Sequence, residues 1–145
     1  MNESWNVRSV EAVTEGQAVW DALVRGDPMP ALEGIADGVI IDNGPGAGPW
    51  RHVEGKDAFL DMALNFPAIF GDTWKQVGTC IFANDQFAIT LVAETGVHAR
   101  SGDVFDNRAI WISRFDADGK SERVWTVDLD HEALEAFWDR NPVRP

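Results

Sequence analysis

The fold is decided by one hairpin in the C-terminal half of the chain, Gln86–Phe115, which reads QFAITLVAETGVHARSGDVFDNRAIWISRF. Apolar and polar residues alternate along both arms, as they do in antiparallel strands that bury one face. The centre, Ser101-Gly102, is a tight-turn sequence. This stretch therefore predicts two long paired strands, Gln86–Arg100 and Asp103–Phe115.

The position of the turn predicts which residues of these two strands face one another. A tight turn centred near Ser101-Gly102-Asp103 places His98 opposite Asn107 and Glu94 opposite Trp111. The next turn brings the last strand alongside the second arm. Because successive side chains alternate between faces, six mainly polar residues are expected on one side of the sheet: Glu94, His98, Asn107, Trp111, Thr126 and Asp128.

The opposite side of the predicted sheet is apolar. No predicted helix remains to cover it, and an uncovered apolar face of this size indicates an interface. We therefore expect a homodimer that forms through the outer sheet face. The residues concerned are Ile89, Leu91, Ala93, Ile110, Ile112, Trp125, Val127 and Leu129.

The rest of the chain supplies helices before the sheet and one helix after it. Helical periodicity, turn residues and caps predict the following elements: helices over Ser9–Arg25, Asp27–Ala36 and Lys56–Phe70, a strand over Val39–Asp42, a loop over Asn43–Pro49, strands over Thr73–Ala83 and Lys120–Leu129, and a last helix capped by Asp130. Helices followed by an antiparallel meander are typical of an α+β fold rather than of βαβ units. The prediction is a curved antiparallel sheet wrapped by N-terminal helices.

Composition narrows the classes of function. The chain has 145 residues, a formal net charge of −12 and only 12 scattered Lys and Arg residues, which disfavours binding to nucleic acid or to an anionic membrane surface. Cys80 is the only cysteine, and the three histidines lack zinc-ligand spacing. We expect no metal and no cofactor. The N-terminus does not read as a secretory signal, so a cytoplasmic location is expected.

Several short motifs recur in a recognisable order, and their sequences are WDALVRGD (20–27), GKDAF (55–59), DNRA (106–109), RF (114–115) before DGK (118–120), Trp125, and ALEAFW (133–138). In this order they resemble the SnoaL-like, ketosteroid-isomerase-like branch of the nuclear-transport-factor superfamily. The resemblance covers nearly the whole chain. It implies one domain over residues 1–145, a cone-shaped α+β barrel, a deep apolar pocket and a homodimer.

The resemblance carries over no complete mechanism. Ketosteroid isomerases use a tyrosine and a protonated acid as an oxyanion hole, with an aspartate base. This chain has no tyrosine; Val19 falls at that position and Trp111 at that of the acid. The base position falls on Asn43 or on Asp42, depending on one gap. The acid/base aspartate of polyketide cyclases falls on Thr126. A strict ketosteroid isomerase is therefore not expected.

The preferred catalytic constellation is His98, Asn107 and Asp128. A histidine beside a carboxylate is held in one tautomer and transfers protons near neutral pH. The alternative interpretation is an inert, solvated row at the rim of the sheet. Asp42 is a further candidate base, although an aspartate before a glycine-rich turn also caps its own backbone.

A second set of residues is expected to line the pocket and contact the ligand. Glu94 is either a buried acid with a raised pKa or an edge residue in water. Aromatic residues of the set would pack against a flat apolar ligand or fill the core. The ligand-binding candidates are Glu94, Trp111, Thr126, Asn43 and Trp20.

Together these features predict a cofactor-independent enzyme, an isomerase, cyclase, lyase or hydrolase that moves protons on a hydrophobic small molecule. The first alternative is a non-catalytic binding protein with the same pocket. The second is an accessory dimerisation domain whose pocket is filled by its own Trp and Phe side chains.

Overall fold

The computed structural model describes residues 18–19 and 21–143. Residues 18–19 and 21–24 are helical, in agreement with the end of the first predicted helix, whose residues 9–17 and Trp20 lie outside the described part. The elements that follow are α1 (Met29–Glu33), β1 (Ile35–Asp42), a 3₁₀ turn (Pro45–Ala47), β2 (His52–Glu54), α2 (Lys56–Phe70), a second 3₁₀ turn (Gly71–Thr73), β3 (Lys75–Ala83), β4 (Phe87–Val97), β5 (Val104–Phe115), β6 (Ser121–Asp128) and α3 (His131–Arg140).

The six strands form one open sheet in the order β2-β1-β6-β5-β4-β3. The predicted α+β class is confirmed, and the meander from β3 to β6 is antiparallel throughout. One pairing outside the meander runs the other way, because β1 pairs with β6 in parallel. These two strands are far apart in sequence, so no hairpin turn requires them to run in opposite directions.

The register of the β4–β5 hairpin differs from the prediction. Glu94 pairs with Asn107, and Trp111 pairs with Thr90. The strands end at Val97 and Val104, and a longer turn joins them, closed by a bond from the His98 N–H to the Asp103 carbonyl (2.8 Å). The partner of Glu94 thus moves by an even number of residues. Since side chains alternate with a period of two, every strand residue stays on its predicted face.

Helices α2 and α3 pack on the inner face of the sheet, the face that carries Glu94 and Asn107. An aromatic cluster holds these layers together, with Phe70 and Phe105 each only 1% exposed. Phe70 stacks on Trp74 with 5.0 Å between ring centroids, and Phe137 contacts Phe105 edge-on at 5.1 Å. Close-packed aromatic pairs of this kind contribute beyond the apolar area that they bury. They therefore hold the helices firmly against one end of the sheet.

The outer face of the sheet has no helix over it within the described residues. Leu91 and Val127 are about half exposed, and Leu129 more so. Val77 and Ile81 on β3 extend the same apolar surface. No helix in the described part of the chain is long and apolar enough to cross a membrane.

Candidate active site

A cavity of about 440 Å³ lies between the inner face of the sheet and the helices. This volume is within the range of small-molecule sites. Most of its wall is apolar and comes from the helical residues before β1, from α2 and from the strands. The apolar residues include Val19, Leu23, Ile35, Ile41, Phe59, Met62, Phe66, Trp74, Trp111, Phe115 and Val124.

The cavity extends along the strands and differs between its two ends. The Ala88–Ser113 and Glu94–Asn107 pairs both line it, and six residues of strand separate them, a distance of about 20 Å. Near the first pair the lining residues Phe115 and Gly119 are partly or fully exposed, whereas Glu94 and Asn107 are buried. The cavity therefore opens beside the β5–β6 turn and is closed at the Glu94 end.

Three polar side chains form a row at the closed end of the cavity, and we call Glu94, Asn107 and Asp128 the polar row. They come from the adjacent strands β4, β5 and β6 and are 7%, 2% and 3% exposed. Asn107 lies in the middle, and its Nδ2 donates to Glu94 Oε2 and to Asp128 Oδ1, both at 3.0 Å. One amide group thus holds two buried carboxyl groups close together.

The surroundings of Glu94 raise the pKa of its carboxyl group. Burial raises the pKa of its carboxyl to about 7, and the nearby charge of Asp128 adds to the rise. Hydrogen bonds from Asn107 and from Gln76, whose Nε2 lies 2.7 Å from Oε1, oppose the rise in pKa because they stabilise the ionised form. The group consequently exchanges its proton near neutral pH, which is the property of an effective general acid or base.

Asp128 is held by the glycine-rich loop that follows β1. The Gly46 N–H donates to Asp128 Oδ2 at 2.6 Å, and Trp138 Nε1 donates to the Gly46 carbonyl at 3.1 Å. A Cβ atom at Gly44 would lie 2.3 Å from Asp128 Oδ2, and one at Gly46 would lie 2.4 Å from Asn107 Nδ2. Only glycine permits this approach of backbone to side chain, so the loop closes the deep end of the cavity.

A second polar pair lies farther along the cavity wall. Thr126 Oγ1 donates to Asn43 Oδ1 at 2.9 Å, and Asn43 Nδ2 donates to the Trp50 carbonyl at 2.8 Å. Asn43 directly follows β1, and these bonds tie the start of the glycine-rich loop to β6 and to the end of the loop. Both residues line the cavity.

Six of the predicted site residues line this cavity: Asn43, Glu94, Asn107, Trp111, Thr126 and Asp128. Trp20 lies outside the described residues. Gln76 was missed, because its pairing with Glu94 depends on a β-bulge between Cys80 and Phe82 that the turn residues do not predict. An amide donor to a buried acid therefore comes from a strand that the sequence interpretation used only for the fold.

The predicted grouping of His98 with Asn107 and Asp128 is wrong. His98 lies in the β4–β5 turn, where its Nδ1 accepts from the Ser101 N–H at 3.1 Å. Its ring packs against Phe70 and Phe137, with centroid distances of 6.4 and 6.2 Å. The turn begins before this residue, so His98 is no longer part of the strand row. It does not line the cavity.

The prediction that Asp42 serves as a base in the pocket is also wrong, because Asp42 does not line the cavity. Its carboxyl binds His52 Nδ1 at 2.8 Å and forms an ion pair with Arg123. Alternation along β1 turns Ile41 into the cavity and Asp42 away from it. Between the two alternatives for the base position, only Asn43 faces the cavity, and an amide is not a base at neutral pH.

Within residues 18–19 and 21–143, no group of three or more His, Cys, Asp or Glu side chains is placed to hold a metal ion. The polar row combines two carboxyl groups with one amide group, joined by hydrogen bonds.

An open sheet with helices over one face and a cavity between them is the fold of nuclear-transport-factor-2-like proteins. The resemblance inferred from the motifs is confirmed at the level of the fold. No protein-family model matches the sequence, and no curated protein matches it either.

Three solved structures illustrate the likeness. Bal32a from a soil-derived mobile gene cassette has a TM-score of 0.73 at 20% identity, over 90% of this chain and 95% of its own. An NTF2-like protein of unknown function from Exiguobacterium sp. 255-15 has a TM-score of 0.63 at 18% identity, with 84% and 98% covered. IdmH from Streptomyces antibioticus, a provisionally assigned polyketide cyclase, has a TM-score of 0.60 at 20% identity, with 88% and 98% covered.

Proposed function

We propose that the protein is a cofactor-independent enzyme that transfers a proton on a hydrophobic small molecule, with Glu94 as the acid/base residue. The observation that carries this proposal is a buried carboxyl group at the closed end of an apolar cavity, with a pKa of about 7. A buried acid with this pKa is matched to general acid–base catalysis in neutral solution. An isomerase, cyclase, lyase or hydrolase would each use such a step.

The surroundings of Glu94 suit this role. Gln76 and Asn107 each donate to one carboxyl oxygen, so the group is held in one orientation while each oxygen keeps a second lone pair. In the ionised form Glu94 would take a proton from the bound substrate. In the neutral form it would return the proton to another atom of the same molecule. The apolar walls would hold the body of the substrate and exclude water.

The runner-up is a non-catalytic protein that binds a small molecule in the same cavity. The observation in its favour is that both oxygens of Glu94 already accept hydrogen bonds, as in a purely structural network. The third hypothesis, a domain whose pocket is filled by its own side chains, is disfavoured by the size of the cavity.

Exchange of substrate hydrogen for solvent deuterium tests the proposal without knowledge of the product. A panel of apolar cyclic ketones, with and without hydroxyl groups, is incubated with the protein in deuterium oxide and followed by mass spectrometry. We expect exchange on at least one compound, reduced roughly 100-fold or more in Glu94→Gln. Equal exchange by wild type and Glu94→Gln, or none by the wild type, would refute the assignment.

Two variants serve as matched controls in this experiment. Asp42→Asn makes the same acid-to-amide change outside the cavity, and His98→Ala removes a histidine that packs on Phe70 instead of lining the cavity. Both should retain the exchange activity of the wild type. Loss of exchange in either would move the acid/base role away from Glu94.

We further propose that the protein acts as a cytoplasmic homodimer joined through the outer sheet face. The support for the dimer is the apolar surface formed by Val77, Ile81, Leu91, Val127 and Leu129, all of them exposed in the single chain. Burial of such a surface between two copies would remove it from water. The cavity lies on the other face and would remain accessible.

A further inference from the structure

The polar row contains a hydrogen-bond acceptor that has no donor within the described part of the chain. Both hydrogens of Asn107 Nδ2 are engaged, one by each carboxyl group. The other atom of that amide, Asn107 Oδ1, is buried and has no hydrogen-bond partner among the described residues. Buried oxygens without a donor are rare and unfavourable. This oxygen belongs to a residue that lines the cavity, and it is the acceptor of the polar row that still lacks a donor from the described residues.

The charges of the residues that line the cavity also favour a ligand group that donates hydrogen bonds. The described lining residues include the acids Glu94 and Asp128 and no Lys, Arg or His. Glu94 and Asp128 therefore lie close together without a basic residue in the cavity wall to balance them. A group that brings hydrogens, or a positive charge, lowers the energy of this end of the cavity, whereas a further acceptor raises it.

From the unpartnered amide oxygen and the two acids beside it, we infer that the ligand binds with a hydrogen-bond donor, a hydroxyl or an ammonium group, at the end that reaches the polar row. The inference deepens the proposed function and rests on the same cavity. The donor would bond to Asn107 Oδ1 and to an oxygen of Glu94. The remainder of the ligand is apolar, because Phe66, Met62 and Trp74 form the adjoining wall.

A ligand that accepts a hydrogen bond at the polar row, instead of donating one, would bind with a different dependence on pH. A neutral Glu94 carries a hydrogen and would donate it to a carbonyl group of the ligand, which favours acceptor ligands below pH 7. An ionised Glu94 accepts, which favours donor ligands above pH 7. The bonds from Gln76 and Asn107 to the two Glu94 oxygens stabilise the ionised form. The donor preference is therefore expected to increase as the pH rises through 7.

Four naphthalenes that differ in one group make a direct test on the wild-type protein. The probes are 2-naphthol, 2-(aminomethyl)naphthalene, 2-methoxynaphthalene and 2-acetylnaphthalene, and their dissociation constants are measured by ¹⁵N NMR titration at about pH 6 and about pH 8. We expect the hydroxyl or the ammonium probe, or both, to bind about tenfold more tightly than the methoxy probe at the higher pH. The comparison of the first two probes separates recognition of a neutral donor from recognition of charge.

Three results would overturn the inference: equal or tighter binding of the methoxy or acetyl probe, a donor preference that decreases with rising pH, or no binding of any probe at the polar row. Asn107→Ala, which removes the unpartnered oxygen, should abolish the preference, while Ser113→Ala at the other end of the cavity should keep it. A donor preference without deuterium exchange would refute the proposed function alone. Exchange dependent on Glu94 without a donor preference would refute this inference alone.

Discussion

Glu94 and Asn107 face one another on neighbouring strands, and the amide nitrogen of Asn107 donates to Glu94 Oε2 at 3.0 Å. The same nitrogen bonds to Asp128, so the position of one acid depends on the other. Because Asp128 in turn receives the Gly46 N–H, the site extends from β4 to the glycine-rich loop. Gln76 on β3 donates to the other oxygen of Glu94, so the properties of this acid are set by four strands and a loop together.

Glu94 should make the stability of the protein depend on pH. Its pKa is about 7 in the folded protein, against 4.5 for an ordinary glutamate, so the folded state holds a proton that the unfolded chain releases. The corresponding stabilisation is fully present below about pH 4.5 and is lost as the pH rises through 7, a change of about 3 kcal/mol in the free energy of unfolding.

Urea unfolding at several pH values between 4.5 and 8 measures this effect as the difference between Glu94→Gln and the wild type. The variant should gain stability relative to the wild type as the pH rises, since glutamine cannot ionise. Thr126→Val changes a non-ionising residue of the cavity wall and should shift stability equally at every pH. A constant difference between Glu94→Gln and the wild type would contradict the raised pKa.

Replacement of Gly46 by alanine should destabilise the protein by about 1–3 kcal/mol. The added Cβ would lie 2.4 Å from Asn107 Nδ2 and 3.0 Å from both carboxyl oxygens of Asp128. These atoms are buried and already bonded, so they have little room to move. Gly38→Ala is the matched control, because a Cβ there meets nothing within 4 Å, and its effect should stay within about 0.5 kcal/mol. Equal effects of the two substitutions on thermal unfolding would contradict this prediction, because they would show that the loop moves to accommodate the added Cβ atom.

A charge on the outer sheet face should dissociate the proposed dimer. Leu91 is 45% exposed and pairs with Ile110 at the centre of the apolar surface, so burial of a lysine there between two copies would be costly. Light scattering coupled to size exclusion should find a dimer for the wild type and a monomer for Leu91→Lys. Leu64→Lys, at a similarly exposed leucine on α2 (42%), should remain dimeric. A monomeric wild type would end the dimer proposal.

How much of the site was visible in the sequence is best judged from Glu94, Asn107 and Asp128. All three lie on the predicted face, because alternation along a strand depends only on local residue order and survives an even error in register. Asp128 and Asn107 were expected to act together, and they do lie within hydrogen-bonding distance. Their third partner is Glu94 and not His98, because the turn is centred between Arg100 and Ser101, earlier in the chain than predicted.

The sequence by itself determined the α+β class, the order of the strands from β3 to β6 and the faces assigned to residues of β4, β5 and β6, since these follow from local periodicity and turn residues. Only the tertiary structure decided that His98 leaves the row, that Asp42 faces away from the cavity and that Gln76 bonds to Glu94. The reason is that pairing register and burial depend on contacts between segments distant along the chain. The pKa of Glu94 is the clearest case, because the burial that raises it comes from helices, a loop and neighbouring strands that no local pattern specifies.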